Sequence, residues 1–277
     1  MKKILFTKMQ GTGNDFVLLD ALRHTVRVTP TLARHLCDRR FGVGADQVLV
    51  LAKSAVADFK MLIYNADGSQ VEMCGNGIRC LARYAFERGH TKKRSMTVET
   101  LAGIRRPVIA RGNVRVDMGA PVLEAGLVPL RAQGRVIDHP FSLKSPKNEV
   151  DLKMTCVSMG NPHAVIFVPE IAQVPLEEWG PVIETDPFFP RRTNVEFVQA
   201  IDPDHAHVRV WERGSGATLA CGTGACAVAV AGVLTGRFHR MVELSLPGGT
   251  LKVEWAADNR VYLTGPAAFV FDGSLNV

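Results

Sequence analysis

The stretch ERGSGATLACGTGACAVAVAGVLTG runs from Glu212 to Gly236. Cys221 stands directly before a Gly-x-Gly turn, and a run of small apolar residues with helical character follows. Upstream, NADGSQVEMCGNGIRCLARYAFERG from Asn65 to Gly89 is built the same way: Cys74, then Gly-Asn-Gly, then a helical run. The two stretches read as copies. Working outward, Asn14 matches Asn161, Gln47 matches Asn194, Asn65 matches Glu212, Gly75 matches Gly222, Asn76 matches Thr223 and Gly89 matches Gly236, all at an offset of 147. Further on, GNVRVDMGAP (112–121) aligns with DNRVYLTGPA (258–267) at 146, a single-residue indel. A duplicated core would match only loosely, because core positions need only be apolar. The matching residues are instead amides, cysteines and glycines, the types that build sites.

The sequence therefore predicts an α+β protein of two pseudo-symmetric domains. Residues 1–120 with 267–277 form the half carrying Cys74, and 121–266 the half carrying Cys221. Each is expected to be a mostly antiparallel sheet wrapped around a central helix, with the active site between the halves. KILFTKMQ, DQVLVLAK, ADFKMLIYNAD, HAVIFV, NVEFVQAI and HVRVWER read as strands, rich in β-branched residues and bounded by turn residues. TPTLARHLCDRRFG reads as a helix capped by Thr29, with Pro30 in its first turn and Gly42 closing it. Runs of strands followed by one long helix exclude an alternating βαβ sheet.

Length and composition agree with this. A chain of 277 residues with 47% apolar and 22% charged residues suits two packed domains. The longest apolar run, Ala225 to Leu234, is too short to span a bilayer. MKKILFTKMQ begins with basic residues, but its apolar stretch ends at Thr7 and Lys8, so it reads as a first strand rather than an export signal. The expected location is cytoplasmic, with no membrane partner. A net charge of +6 comes from short clusters scattered among acids, without a basic stripe, so no nucleic-acid partner is expected. The cysteines at 37, 74, 80, 156, 221 and 226 suit neither a disulfide framework nor zinc, whose spacing and histidine partners are missing. Cys37, Cys80, Cys156 and Cys226 read as small buried apolar residues.

The cysteine turns carry the chemistry. Glycines let the backbone approach a ligand, and the first N–H groups of a helix have no internal partner and attract anions. A thiol placed there can ionise more readily. Two such turns facing one pocket would hold a substrate carboxylate by both helix starts, with the adjacent carbon between two sulfurs. That arrangement suits removal of a proton from one face and its return on the other, inverting the stereocentre. A reversible disulfide in a redox sensor or binding module is a second reading of the same two sulfurs. GTGACA from Gly222 also fits a dinucleotide fingerprint, but the polar loop before it lacks the strand that motif needs.

At these residues the chain resembles the diaminopimelate epimerase family, through GTGNDF, NADGSQVEMCGNG, GNPHAV and ERGSGATLACGTG, over nearly its whole length. The resemblance implies a cofactor-independent amino-acid epimerase that interconverts LL- and meso-2,6-diaminoheptanedioate in lysine and peptidoglycan precursor synthesis, without metal or cofactor. It implies Cys74 and Cys221 as the acid/base pair, Cys221 accepting and Cys74 donating in the forward direction. Asn14, Gln47, Asn65, Asn161, Asn194, Glu212 and Arg213 are then substrate contacts. The backbones of Gly75, Asn76, Gly222 and Thr223 hold the reacting carboxylate. His163 and Glu212 are implied to tune the thiols. Arg213 suits a distal carboxylate, and Glu212 an ammonium. Proline racemases share the CGTG element but carry His where Asn76 stands. Phe271 replaces a tyrosine frequent in the family and linked to dimer contacts, and a homodimer is implied.

Overall fold

A computed structural model describes residues 3–144 and 149–276. The chain divides into two compact units, Met1–Asp117 with Thr264–Val277, and Met118–Leu263. In chain order the elements begin with β1 (Lys3–Gly11), β2 (Asn14–Asp20), α1 (Pro30–Cys37), β3 (Gln47–Ala52), β4 (Phe59–Asn65), β5 (Gln70–Val71), α2 (Gly75–Glu87), β6 (Val98–Thr100), β7 (Gly103–Arg105), β8 (Val108–Ala110) and β9 (Asn113–Gly119). Then come β10 (His139–Lys144), β11 (Glu149–Ser158), β12 (Pro162–Phe167), α3 (Leu176–Glu184), β13 (Asn194–Asp202), β14 (His205–Glu212) and β15 (Gly216–Thr218). The chain ends with α4 (Gly222–Leu234), β16 (Met241–Leu246), β17 (Gly249–Trp255), β18 (Val261–Pro266) and β19 (Ala268–Asn276). This is the two-domain α+β fold read from the sequence.

In the first unit the strands run β19-β1-β2-β3-β4-β6-β7, with β5 on β4. In the second they run β10-β11-β12-β13-β14-β16-β17-β18, with β15 on β14. Most pairings among the described residues are antiparallel, but β2/β3, β4/β6, β12/β13 and β14/β16 are parallel. A parallel pair needs a long crossover, and each of these crossovers contains a helix: α1, α2, α3 and α4 in turn. The parallel registers repeat between units. Phe16 lies opposite Gln47, and His163 opposite Asn194, each residue 147 further on. Phe59 lies opposite Val98, and Ala206 opposite Leu244, where the second offset is 146. The indel inferred from the sequence therefore falls in the α4-containing crossover or its α2 counterpart.

Helix α4 is apolar all round, and Ala225 to Gly232 are buried without a break. Such a helix belongs in the centre of a domain. It packs on β11, β12, β13, β16 and β17, and its Ala and Val side chains let it lie close to them. Helix α2 packs on β1, β2, β3 and β4 and buries Gly75 to Ala82. Cys37, Cys80, Cys156 and Cys226 are all buried, as expected of small apolar residues. Burial pushes the Cys37 thiol up to about 11 and the Cys80 thiol to about 12. Helix α1 starts as expected, with Thr29 Oγ1 accepting from Leu32 N at 3.2 Å. It does not reach Gly42. It ends at Cys37, because the Asp38 carboxylate accepts from Arg40 N and Phe41 N and turns the chain out of the helix.

Gly232 shows how closely α4 is held. A Cβ there would lie 1.9 Å from Phe238 Cδ2, and Phe238 is itself held edge-on against Phe167 at 5.6 Å. Overpacking costs about 1–3 kcal/mol, against a helix-propensity gain of about 1 kcal/mol for replacing glycine. Gly232→Ala is therefore expected to lower the urea midpoint of unfolding. An unchanged or raised midpoint would show that Phe238 can swing away freely.

Candidate active site

In the first unit the hairpin turn between β1 and β2 places Asn14. Both turn residues, Thr12 (φ 51°) and Gly13 (φ 82°), have positive φ, as the tight two-residue hairpin demands. A β-branched residue is strained there, and Thr12 is held by a hydrogen bond that Arg79 Nη2 donates to its Oγ1 at 3.2 Å. Asp46 Oδ2 accepts from Asn14 Nδ2 at 2.9 Å. This fixes the amide so that its oxygen points to the cysteine turn. Asn14 Oδ1 lies 3.7 Å from Cys74 Sγ and 3.4 Å from Asn76 Nδ2. Asp46 is bound in turn to Arg39 at 2.7 Å, and Arg39 also binds Asp15. Burial works against the Asp15 charge, but Arg39 and Lys8 hold its carboxyl down at about 2.

Cys74 is the N-cap of α2, and its Sγ accepts from Gly77 N at 3.4 Å. The thiol therefore stands at the positive end of the helix, where an anion is favoured. Gln47 and Asn65 are opposite one another on β3 and β4, and Gln47 Nε2 donates to Asn65 Oδ1 at 2.8 Å. Arg79, fully buried, donates to Asn76 Oδ1 at 2.9 Å and to Gly75 O at 3.2 Å, so it braces the turn from behind.

In the second unit Cys221 is the N-cap of α4, buried, with Sγ 3.4 Å from Thr223 Oγ1. Asn194 has both ends of its amide committed: Nδ2 donates to Pro162 O at 2.8 Å, and Oδ1 accepts from Arg213 N at 3.0 Å. It thus fixes the backbone at Arg213, whose guanidinium reaches Arg191 O at 3.1 Å near the surface. Glu212 accepts from Thr218 Oγ1 at 2.6 Å. His163 is fully buried between Asn161, with Nε2 3.1 Å from Oδ1, and Glu196, with Nδ1 2.7 Å from Oε1. Phe271 lies elsewhere, on the edge strand β19, half exposed and edge-on to Phe6.

Sequence reasoning missed the two fully buried charged side chains beside these turns, Arg79 and Glu196. Neither has a like partner at the repeat offset: Arg79 corresponds to Cys226, and Glu196 to Leu49. A search for matches passes over both. The signal was a lone charge in an apolar stretch, as in NVEFVQA, where Glu196 shares a strand face with Asn194.

Cys221 is electrostatically unlike a surface thiol. Burial pushes it well above its ordinary value, and the Glu212 carboxylate adds to the effect, with Thr223 opposing. Glu212→Gln removes this negative contribution. It is expected to lower the Cys221 pKa, read as a shift to lower pH in the rate of alkylation of Cys221 by iodoacetamide. No shift, or a shift upward, would remove Glu212 as a determinant of this thiol.

Comparison with known proteins bears on the whole chain. The family model described as Diaminopimelate epimerase matches residues 6–124 and 155–270. The chain is 51% identical over 272 residues to the diaminopimelate epimerase of Carboxydothermus hydrogenoformans, covering 97% of this chain and 98% of that one. It is 45% identical to that of Leptospira biflexa, covering 99% and 100%. Among solved structures, a probable proline racemase from Agrobacterium radiobacter K84 superposes with a TM-score of 0.72 at 15% identity, covering 99% of this chain and 93% of that one. A PhzF-family phenazine biosynthesis protein of Bacillus anthracis gives 0.71 at 17%, covering both chains fully. These two show a shared fold. The family-model match and the identity of about half over nearly the full length decide the rest: the chain belongs to the diaminopimelate epimerase family.

Proposed function

We propose that the protein interconverts LL- and meso-2,6-diaminoheptanedioate by a two-base reaction at the α-carbon, with Cys74 and Cys221 as the acid/base pair. The observation that carries this is the placing of a thiol as N-cap of the central helix in each unit, in a chain of this family. One thiolate takes the α-proton, breaking the C–H bond. The opposite thiol gives its proton to the other face of the carbanion. Protons balance, and the next turnover runs from the exchanged protonation state.

The α-proton is a very weak acid, so charge developing on the reacting carboxylate must be met by donors. Backbone N–H groups at Gly75 and Asn76, and at Gly222 and Thr223, are the donors assigned to it. Asn14, Gln47, Asn65, Asn161, Asn194, Glu212 and Arg213 are assigned to the rest of the substrate, with Arg213 on the distal carboxylate and Glu212 on an ammonium. The Glu212 assignment has an energetic consequence. Its negative charge helps hold Cys221 protonated. A substrate ammonium on Glu212 cancels that charge, so loading the substrate eases ionisation of the thiol that must accept a proton. His163 contributes to the same region through Asn161.

The enzyme is assigned to the cytoplasm and to a homodimer. Among the described residues no helix is long and apolar enough to cross a membrane. The exposed residues Val270 and Phe271 on edge strand β19 are the apolar surface offered to a second copy.

With the LL isomer in heavy water, proton NMR is expected to show loss of the α-proton signal together with appearance of the meso isomer. Cys74→Ala and Cys221→Ala should each lower turnover by about 10²–10⁴-fold while far-UV circular dichroism stays unchanged. Turnover that survives the loss of either sulfur would defeat the two-thiol reading.

A further inference from the structure

The two cysteine turns are copies with different foundations. In the first unit, a Cβ added at Gly77 would meet Leu49 Cδ2 at 3.0 Å and Phe16 Cε1 at 3.5 Å. The first turn of α2 therefore rests on hydrocarbon. In the second unit, a Cβ at Gly224 would lie 2.5 Å from Glu196 Oε1 and 3.2 Å from its Cδ. Glu196 takes the place of Leu49, and His163 the place of Phe16, both at the repeat offset of 147. One copy has an apolar pair beneath its helix start, and the other has two ionisable side chains in contact.

Glu196 is fully buried. Its Oε1 is 2.7 Å from His163 Nδ1, and among the described residues its Oε2 has no hydrogen-bond partner. A carboxylate anion with one oxygen bare in the interior is very costly, whereas a neutral carboxyl is not. Burial raises the Glu196 carboxyl, with His163 opposing and the Glu212 charge adding to the rise. Two readings satisfy the hydrogen-bond geometry, a neutral pair and an imidazolium–carboxylate pair, and the bare, fully buried Oε2 favours the neutral one. Asn161 Oδ1 is an acceptor only, so His163 Nε2 carries a hydrogen. A neutral Glu196 then donates its O–H to a bare Nδ1, and the imidazole is neutral. The other titratable groups around the pair are Cys156 on β11, Glu212 on β14 and Cys221 at the start of α4.

We propose that Glu196 is a positioning residue: as a neutral acid it locks His163 in the Nε2–H tautomer, which turns the Asn161 amide so that its oxygen is engaged and its Nδ2 hydrogens are the donors left for a ligand. Those donors suit an anionic group, so Asn161 would serve a substrate carboxylate rather than an ammonium. This rests on the reading that Asn161 contacts substrate. The neutral pair also leaves Cys221 without a second fixed negative charge beneath it, which a deprotonated Glu196 would impose. Leucine, the residue that suffices at position 49, could not donate to Nδ1.

The test uses the full-length protein with the LL isomer as substrate and ¹⁵N-labelled histidine, the His163 ring signal being assigned by its loss in His163→Gln. The parent is expected to show a neutral Nε2–H ring at neutral pH. Glu196→Gln also donates to Nδ1, so it should keep that signature and hold KM within about threefold, whereas Glu196→Leu should lose the single tautomer and raise KM about tenfold or more, with a smaller change in kcat. A doubly protonated His163 ring in the parent overturns the proposal, and that measurement needs no variant should Glu196→Leu fail to fold. So does Glu196→Leu with the parent's ring signal and KM, or Glu196→Gln as impaired as Glu196→Leu. Asn161→Ala separates the two readings. If it leaves KM unchanged, the substrate contact is wrong, while the ring tautomer still decides the role of Glu196.

Discussion

A helix buried at the centre of a domain has an obligation at its first turn. Its leading N–H groups have no partner within the helix, and burial removes water as a substitute. Helices α2 and α4 are both such helices, covered by the strands of their own units. Something that accepts hydrogen bonds has to stand at their starts. In both units a cysteine is the N-cap, followed by glycines that bring the backbone close, and Cys74 Sγ accepts from Gly77 N. Sulfur is a weak acceptor. A thiol therefore caps a helix incompletely, and on the proposed function the remaining donors are the ones that meet a carboxylate. A serine or aspartate would cap better and leave less to bind with. The helix start is less well satisfied than it could be, and the proposed substrate site draws on that shortfall.

The same obligation explains why side chains around each turn are so thoroughly tied together. Asn14 is fixed by Asp46, Asp46 by Arg39, and Asn76 by Arg79. In the second unit Asn194 fixes the backbone of Arg213, and Thr218 fixes Glu212. Amides are useful here because each end can be assigned one task. One end is anchored to the scaffold, and the orientation of the other is thereby set. A residue whose amide is used at both ends, as Asn194 is, works by shaping the backbone as much as by direct contact.

Much of this was legible in the sequence, because duplication makes site residues stand out against a loosely matching core. The α+β class, the strand runs, the start of α1 at Thr29 and the helix after each cysteine followed from local pattern. The end of α1 did not. Asp38 turns the chain before Gly42 by accepting two backbone hydrogen bonds, and a glycine four residues on gave a stronger textual signal than an aspartate inside the run. Arg79 and Glu196 were hidden for a different reason. Repeat matching rewards sameness, and these two residues are where the copies differ. Their meaning lies in a third dimension, beneath a helix start, which neither spacing nor composition reports.

Difference between the copies is what a two-base reaction on an asymmetric substrate requires. Two identical turns would offer two identical thiols, and nothing would decide which is protonated when a ligand arrives. Here the first turn is braced by the buried guanidinium of Arg79 and stands on Leu49 and Phe16. The second stands on Glu196, itself in contact with His163, with Glu212 nearby, and its thiol is driven upward. The sign of these surroundings favours the proton on Cys221 until a cation approaches Glu212. On the proposed reaction, substitutions in the layer behind the matched residues make the surroundings of the two sulfurs unlike, with Cys221 driven upward. On that proposal the matched residues supply what the reaction needs in common, and the unmatched ones supply the difference between its two bases.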